Sequence, residues 1–333
     1  MSAFGLKGTA ESGSKERLFK AKCLVLPAVL GELLIAFGVL TTVLSCVVDR
    51  FLPKCFLELV RVEDYKQHAE QTNEMEVIEG NIYDFPKYYD LLFGSDWKAE
   101  FVFFRQCFEK FARRPVKRLF EPACGTGRLL FRFAKAGYEV CGLDLNPKAV
   151  EYCNRRFERH GMQPPAFVGD MSQFRLKKKV DAAFNPINSF RELQTDQQAE
   201  NHLQCVAEAL RKGGLYLLGL HLTPVSVPRC QEESWSARRG NLAVLSQMRS
   251  LELDRRNRRE LVQIDFDVYT PTRQFRISSK MVFRTYTAEQ MWELLRRVPE
   301  LEVVETFDFS YELEEPIRIG PETEDVVFVL RKR

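Results

Sequence analysis

No two cysteines in this 333-residue chain stand at the C-x-x-C spacing of a zinc ribbon or a dithiol redox centre, although nine cysteines are present. An odd number scattered from Cys23 to Cys230 also argues against a secreted disulfide framework. The thiols read instead as reduced, mostly buried side chains of a reducing compartment. Histidine is scarce: His68, His160, His202 and His221 lie far apart, and no zinc motif joins them. An excess of one charge is missing too. A formal net charge of +3 supplies no basic face, so a nucleic-acid partner is not expected. Repeats and low-complexity tracts are absent. The remainder, 45% hydrophobic and 29% charged, is the composition of a chain that builds a core.

One long apolar run stands apart. From Cys23 to Val48 only Pro27 and Glu32 interrupt it, and a bilayer needs roughly 20 apolar residues. Against a span, an acid at mid-bilayer costs about 2.5 kcal/mol or more. More Lys and Arg precede the run than follow it, which would set the downstream region outside the cytosol. Three readings stay open: a membrane anchor, a targeting signal, or an extension apart from the working domain. Residues 1–74 are expected to form this extension. Residues 75–333 form the main domain, beginning at Met75 just ahead of Tyr83-Asp-Phe-Pro-Lys-Tyr-Tyr-Asp90.

Beyond Met75, helical and strand patterns alternate. Apolar residues at helical spacing cover Trp97–Ala112, Leu129–Lys135, Pro147–His160 and Gln197–Arg211, the last closed by Gly213-Gly214. Strand-like runs cover Val116–Phe120, Tyr138–Leu143, Val180–Phe184 and Leu215–Leu222. Such alternation predicts a parallel, doubly wound α/β sheet. Three consecutive strand-like segments follow, Val244–Leu253, Glu260–Tyr269 and Gln274–Tyr286, as an antiparallel insertion placed at about 235–286, after the fifth strand. A helix from Ala288 to Val298, capped by Thr287, and strands at Leu301–Phe309 and Asp325–Arg331 then complete the first sheet, to seven strands in all.

The chemistry gathers at Arg118-Leu-Phe-Glu-Pro-Ala-Cys-Gly-Thr-Gly-Arg128, where a strand runs into a glycine turn that opens a helix. Ligands of open parallel sheets bind beyond the carboxyl ends of the strands. Gly125 and Gly127 let a backbone approach such a ligand. Asp144 closes the second strand about twenty residues on, where a carboxylate can accept both hydroxyl protons of a ribose. A dinucleotide site would need a third glycine, and Arg128-Leu-Leu130 stands there instead.

The pattern acid-x-x-x-Gly-x-Gly with a spaced second acid resembles the first motif of the class I S-adenosylmethionine-dependent methyltransferases, a Rossmann-like family. The resemblance runs from about Tyr83 to the end of the chain and weakens across the insertion. It implies S-adenosylmethionine as cofactor. It further implies that Glu121 holds the cofactor's amino group, that Ala123, Gly125 and Gly127 line its methionine part, and that Asp144 binds the ribose beside Leu145 on the adenine. Asp170 and Met171, after the third strand, would meet the adenine amino group and ring. Helix capping, ion pairing and turn formation are the plainer uses of these acids.

The fourth strand ends Asn185-Pro-Ile-Asn188, which would bring Asn185 and Asn188 above the methyl-bearing sulfur, though both also suit local loop hydrogen bonds. Asn185-Pro186 only partly resembles the Asn-Pro-Pro-Tyr element of amino-group methyltransferases, since Ile187 and Asn188 replace its last two residues. Methyl transfer from a sulfonium asks the protein chiefly for alignment and for one proton acceptor. His221, at the end of the fifth strand, is the candidate base, and Asn188 its companion. Tyr83, Tyr88 and Tyr89 resemble the opening lid of small-molecule methyltransferases, with Tyr88 expected on the cofactor. The expected acceptor is therefore a small molecule with an N, O or C nucleophile, in the cytoplasm, with membrane attachment through residues 23–48 if that run is an anchor. A methyltransferase for protein or nucleic acid, an inactive cofactor-binding scaffold and a nicotinamide dehydrogenase are the alternatives.

Overall fold

The structure, a computed structural model, describes residues 75–95, 97–228 and 231–333. The apolar run 23–48 and the rest of the expected extension lie outside the described residues. Among those described, no helix is long and apolar enough to cross a membrane.

Seven strands make the first sheet: β2 (Arg118–Pro122), β3 (Glu139–Asp144), β4 (Ala166–Val168), β5 (Val180–Asn185), β6 (Leu210–His221), β11 (Leu301–Phe307) and β12 (Asp325–Lys332), ordered β11-β12-β6-β5-β2-β3-β4. The five strands β4 to β6 in this order are parallel, and β12 enters antiparallel between β6 and β11. This is the expected Rossmann-like sheet with its antiparallel edge. Burial on both faces explains the near-continuous apolar strands. Leu119, Leu215 and Leu217 face one layer, with α2 (Lys98–Phe111), α3 (Arg128–Lys135) and α4 (Pro147–Glu158). Phe120, Tyr216 and Leu218 face the other, with α5 (Asp196–Ala209) and α6 (Ala288–Arg296). Each such buried large side chain contributes roughly 1.5–3 kcal/mol.

The helix starts follow local chemistry. Asn146 caps α4 by accepting from the Lys148 and Ala149 amides, with Pro147 at the first position. Thr195 with Gln198, and Thr287 with Gln290, form capping boxes on α5 and α6. One boundary differs from expectation. Helix α5 ends at Ala209, and Leu210 already belongs to β6. Gly213 (φ +78°) and Gly214 serve the strand rather than a helix end, since a Cβ on Gly214 would lie 2.7 Å from the Asp181 carbonyl oxygen.

The second sheet has five strands, ordered β1-β10-β9-β8-β7: β1 (Glu76–Glu79), β7 (Glu232–Arg239), β8 (Leu242–Asp254), β9 (Arg259–Tyr269) and β10 (Gln274–Arg284). Two of these the sequence pattern does not reveal. Strand β7 is almost wholly exposed and polar, so it shows no alternation and is specified by its pairing with β8. Strand β1 is four residues long and joins in parallel beside β10. The 3-10 turn Ile82–Asp84 and helix α1 (Pro86–Phe93) follow β1 and pack on this sheet.

Candidate functional site

The turn after β2 is held in an unusual backbone state. Ala123 (φ 54°), Gly125 (φ 51°) and Gly127 (φ 66°) are all left-handed, which for a non-glycine such as Ala123 costs roughly 1–2 kcal/mol. Hydrogen bonds to the neighbouring strand fix it: the Cys124 amide donates to the Leu143 carbonyl (2.8 Å) and the Gly125 amide to Asp144 Oδ2 (2.7 Å). The two glycines do different work. Around Gly125 an added Cβ would meet nothing within 4 Å, so that side is open to a ligand. A Cβ on Gly127 would fall inside contact distance of Cys153 Sγ, so this glycine lets the turn press against α4.

Two carboxylates flank the turn. Glu121 is 3% exposed and its Oε2 has no hydrogen-bond partner. Burial pushes its carboxyl well above the ordinary range, with Arg128 opposing. Arg128 is itself committed to Glu100, with Nη2 donating to Oε1 at 2.8 Å. Asp144 Oδ1 accepts from the Asn146 amide (2.8 Å). Burial raises the Asp144 carboxyl, and its bonds from the Asn146 and Gly125 amides oppose that rise. Beside it Leu145 is 73% exposed, a large apolar side chain left in water at the rim. Asp170 is exposed, with Oδ1 accepting from the Ser172 amide (2.7 Å) and hydroxyl (2.8 Å). Met171 is half-buried and packs on the core.

The segment carrying Tyr83, Tyr88 and Tyr89 is tied to the turn. Asp90, buried in α1, accepts from the Thr126 hydroxyl (2.9 Å). Asp84 accepts from Asn146 Nδ2 (2.8 Å). Tyr88 does not point where the sequence suggests: its ring packs edge-on against Phe275 of the second sheet, with centroids 5.7 Å apart. Tyr83 and Tyr89, edge-on to each other at 5.4 Å, are the pair near the site. Glu192, which sequence reasoning missed, accepts from the Tyr83 hydroxyl at 2.5 Å. Burial pushes both Tyr83 and Tyr89 upward, and Asp144 and Glu192 add to the rise at each. The only sequence signal for Glu192 is an acid a few residues past the Asn185–Asn188 segment.

Asn185 is drawn out of the site. It is fully buried; its Nδ2 donates to the Pro122 carbonyl (2.5 Å) and its Oδ1 accepts from the Tyr216 hydroxyl (2.6 Å). The His202 ring bridges that hydroxyl (2.7 Å) and the Met171 carbonyl (2.8 Å). Every polar atom of the Asn185 side chain is thus spent in joining strands. Asn188, left-handed at φ 57°, accepts the His221 amide on Oδ1 (2.9 Å), so it positions the backbone of His221. His221 Nδ1 lies 2.7 Å from Asp325 Oδ1, a partner 104 residues away. Its ring stands edge-on to Phe309 at 5.1 Å. His221 borders a cavity of ≈ 30 Å³ shared with Asn188, Arg191, Glu233, Glu260 and Met248. That volume holds about one water.

A family model described as "Methyltransferase domain" matches residues 119–214. A methyltransferase of Geobacillus sp. (strain WCH70) is 25% identical over 140 residues, which are 42% of this chain and 57% of the relative. The dTDP-3-amino-3,4,6-trideoxy-alpha-D-glucopyranose N,N-dimethyltransferase of Streptomyces venezuelae is 29% identical over 136 residues, 39% of this chain and 54% of that enzyme. The chain thus spans about half the length of these curated relatives. Among solved structures, an S-adenosylmethionine-dependent methyltransferase from Clostridium acetobutylicum ATCC 824 superposes with a TM-score of 0.61 at 18% identity, covering 76% of this chain and 99% of that one. Residues 119–214 thus match a methyltransferase domain, and the sheet that carries them shares its fold with that S-adenosylmethionine-dependent methyltransferase.

Proposed function

We propose that the chain is an S-adenosylmethionine-dependent methyltransferase acting on a small molecule, with nitrogen as the acceptor atom. The observation that carries the cofactor is the Glu121 oxygen, buried and unpaired on the strand beside the one that Asp144 ends. An orphaned buried carboxylate costs stability, and an ammonium would satisfy it. When bound, the cofactor supplies a methyl group already activated on a sulfonium. Glu121 would hold the amino group, the backbone of Ala123 and Gly125 would line the methionine chain, and Asp144 would orient the ribose. Leu145 would lie against the adenine, and Asp170, whose Oδ2 makes no hydrogen bond among the described residues, would meet its amino group. Crowding these contacts around one axis aligns the methyl for in-line attack.

His221, held at its backbone by Asn188 and at Nδ1 by Asp325, would take up the proton shed by the acceptor, through water in the narrow cavity. Nitrogen is favoured because the Streptomyces relative dimethylates an amino sugar. The catalytic region works in the cytoplasm, where the cofactor is made; residues 23–48 are the segment that would tether it to a membrane. The test is a thermal-shift comparison of S-adenosylhomocysteine with NAD, followed by a labelled-methyl screen of metabolite extracts. Stabilisation by the first compound alone and label in a small amine are expected. Stabilisation by NAD alone would refute the cofactor.

A further inference from the structure

We infer that Glu192 faces the position of the transferring methyl and holds the positive charge there, first on sulfur and then on the acceptor nitrogen, so that it selects an amine over a hydroxyl. The inference rests on the reading above that S-adenosylmethionine occupies this crevice.

Topology gives the first argument. The strands run β5-β2-β3 side by side. Asp144 ends β3 and the glycine turn ends β2, so a ligand whose ribose sits at Asp144 extends across β2 toward β5. Glu192 closes the 3-10 turn Ser189–Glu192 that follows β5.

Electrostatics gives the second. The Tyr83 ring, whose hydroxyl holds Glu192, stands 5.4 Å from that of Tyr89, and Glu192, Asp144 and Glu121 all raise the Tyr89 hydroxyl, so the three carboxylates lie round this tyrosine pair. Arg128, which opposes that rise, is spent on Glu100. One Glu192 oxygen is fixed by the Tyr83 hydroxyl, and the other makes no hydrogen bond among the described residues. Neighbouring groups desolvate this carboxylate and raise it, yet its residue surface is open to solvent, which is the condition of a group on a crevice wall. Glu121 Oε2 is a second unpaired oxygen, deeply buried at the same site.

Chemistry gives the third. The acceptor nitrogen forms the N–CH3 bond with its lone pair while the S–CH3 pair stays on sulfur. The cation therefore moves from sulfur to nitrogen and does not vanish, and a fixed carboxylate stabilises it throughout. The surplus N–H proton leaves afterwards. A hydroxyl acceptor loses its proton as it attacks and ends as a neutral ether, so it leaves no lasting cation for the carboxylate to hold.

Sinefungin, which carries an ammonium where the cofactor has its methyl sulfonium, and neutral S-adenosylhomocysteine test this by calorimetric titration of the whole chain. Wild type should prefer sinefungin. Glu192→Gln should weaken sinefungin roughly tenfold, the scale of one charge-assisted hydrogen bond, and leave S-adenosylhomocysteine within about twofold. Tyr83→Phe should shift the same ratio less, by roughly threefold, since the carboxylate stays and only its orienting bond goes. Equal weakening of both ligands, or of neither, in Glu192→Gln would overturn the inference. Failure of wild type to bind either ligand would instead bring down the cofactor reading beneath it.

Discussion

The crevice of the first sheet and the body of the second hold charge in opposite ways. In the crevice of the first sheet the carboxylates have no cationic partners of their own: Glu121 keeps an unpaired oxygen, Asp144 rests on two backbone amides, and Glu192 rests on a tyrosine hydroxyl. In the second sheet the buried acids are paired. Arg191 meets Glu260 at 2.6 Å, with both side chains under a tenth exposed; Arg276 meets Asp267 at 2.6 Å, and Arg249 meets Asp265 at 3.2 Å. Pairing marks acids that hold a fold together, whereas its absence at a strand end marks acids kept for a ligand.

Substitutions should separate the two kinds. The largest loss of stability is expected for Arg191→Met, which removes the buried Arg191–Glu260 pair; breaking such a pair costs about 3–5 kcal/mol. Urea denaturation would measure it, and the folded fraction should still bind S-adenosylhomocysteine. Asp144→Asn should act mainly on the ligand: stability falls by only about 1–3 kcal/mol, because one of the two backbone amides loses its acceptor, while affinity for S-adenosylhomocysteine falls roughly a hundredfold, the scale of two hydrogen bonds to a charged group.

Gly127→Ala comes next. Its Cβ would collide with Cys153 Sγ, so Cys153→Ala in the same chain should recover part of the lost melting temperature. The remainder, roughly 1–2 kcal/mol, is the strain of a left-handed alanine. Glu121→Gln is a smaller effect with a definite sign. The folded carboxyl titrates above its unfolded value, so the charged form opposes folding, and wild-type stability falls as pH rises through the raised pKa. The glutamine variant should therefore melt higher than wild type at neutral pH without cofactor. That advantage should vanish below the ordinary carboxylate range, and cofactor affinity should drop at every pH where wild-type Glu121 is charged. Smallest of all is the effect of beginning the chain at Met75. We expect S-adenosylhomocysteine affinity within about twofold of the full chain, because every residue placed on the cofactor lies downstream; a loss of one charge-assisted contact would show as roughly tenfold.

The same contrast explains what was legible in the sequence. The turn, its glycines and Asp144 sit within about twenty-five residues on consecutive elements, so local chemistry announces them. The sheet is legible for the same reason: apolar strands and capped helices alternate, and each signal is short-range. Tyr88 differs from expectation because it and Tyr89 are neighbours on one short helix, with Tyr83 in the turn before it, and only tertiary packing decides which of them turns toward Phe275. Asn185 looked exposed to the ligand because its partner Tyr216 comes from the next strand. Asp325 beside His221 and Glu260 beside Arg191 are long-range pairs that no local pattern announces. Strand β7 carries too few buried side chains to show a period.

The central claim is that the glycine turn and Asp144 clasp one nucleoside. Isothermal titration of wild type and Asp144→Asn with S-adenosylhomocysteine tests it most directly. The account predicts one saturable site in wild type and roughly hundredfold weaker binding by the folded variant. Equal binding by the two proteins, or no binding by a folded wild type, would contradict it.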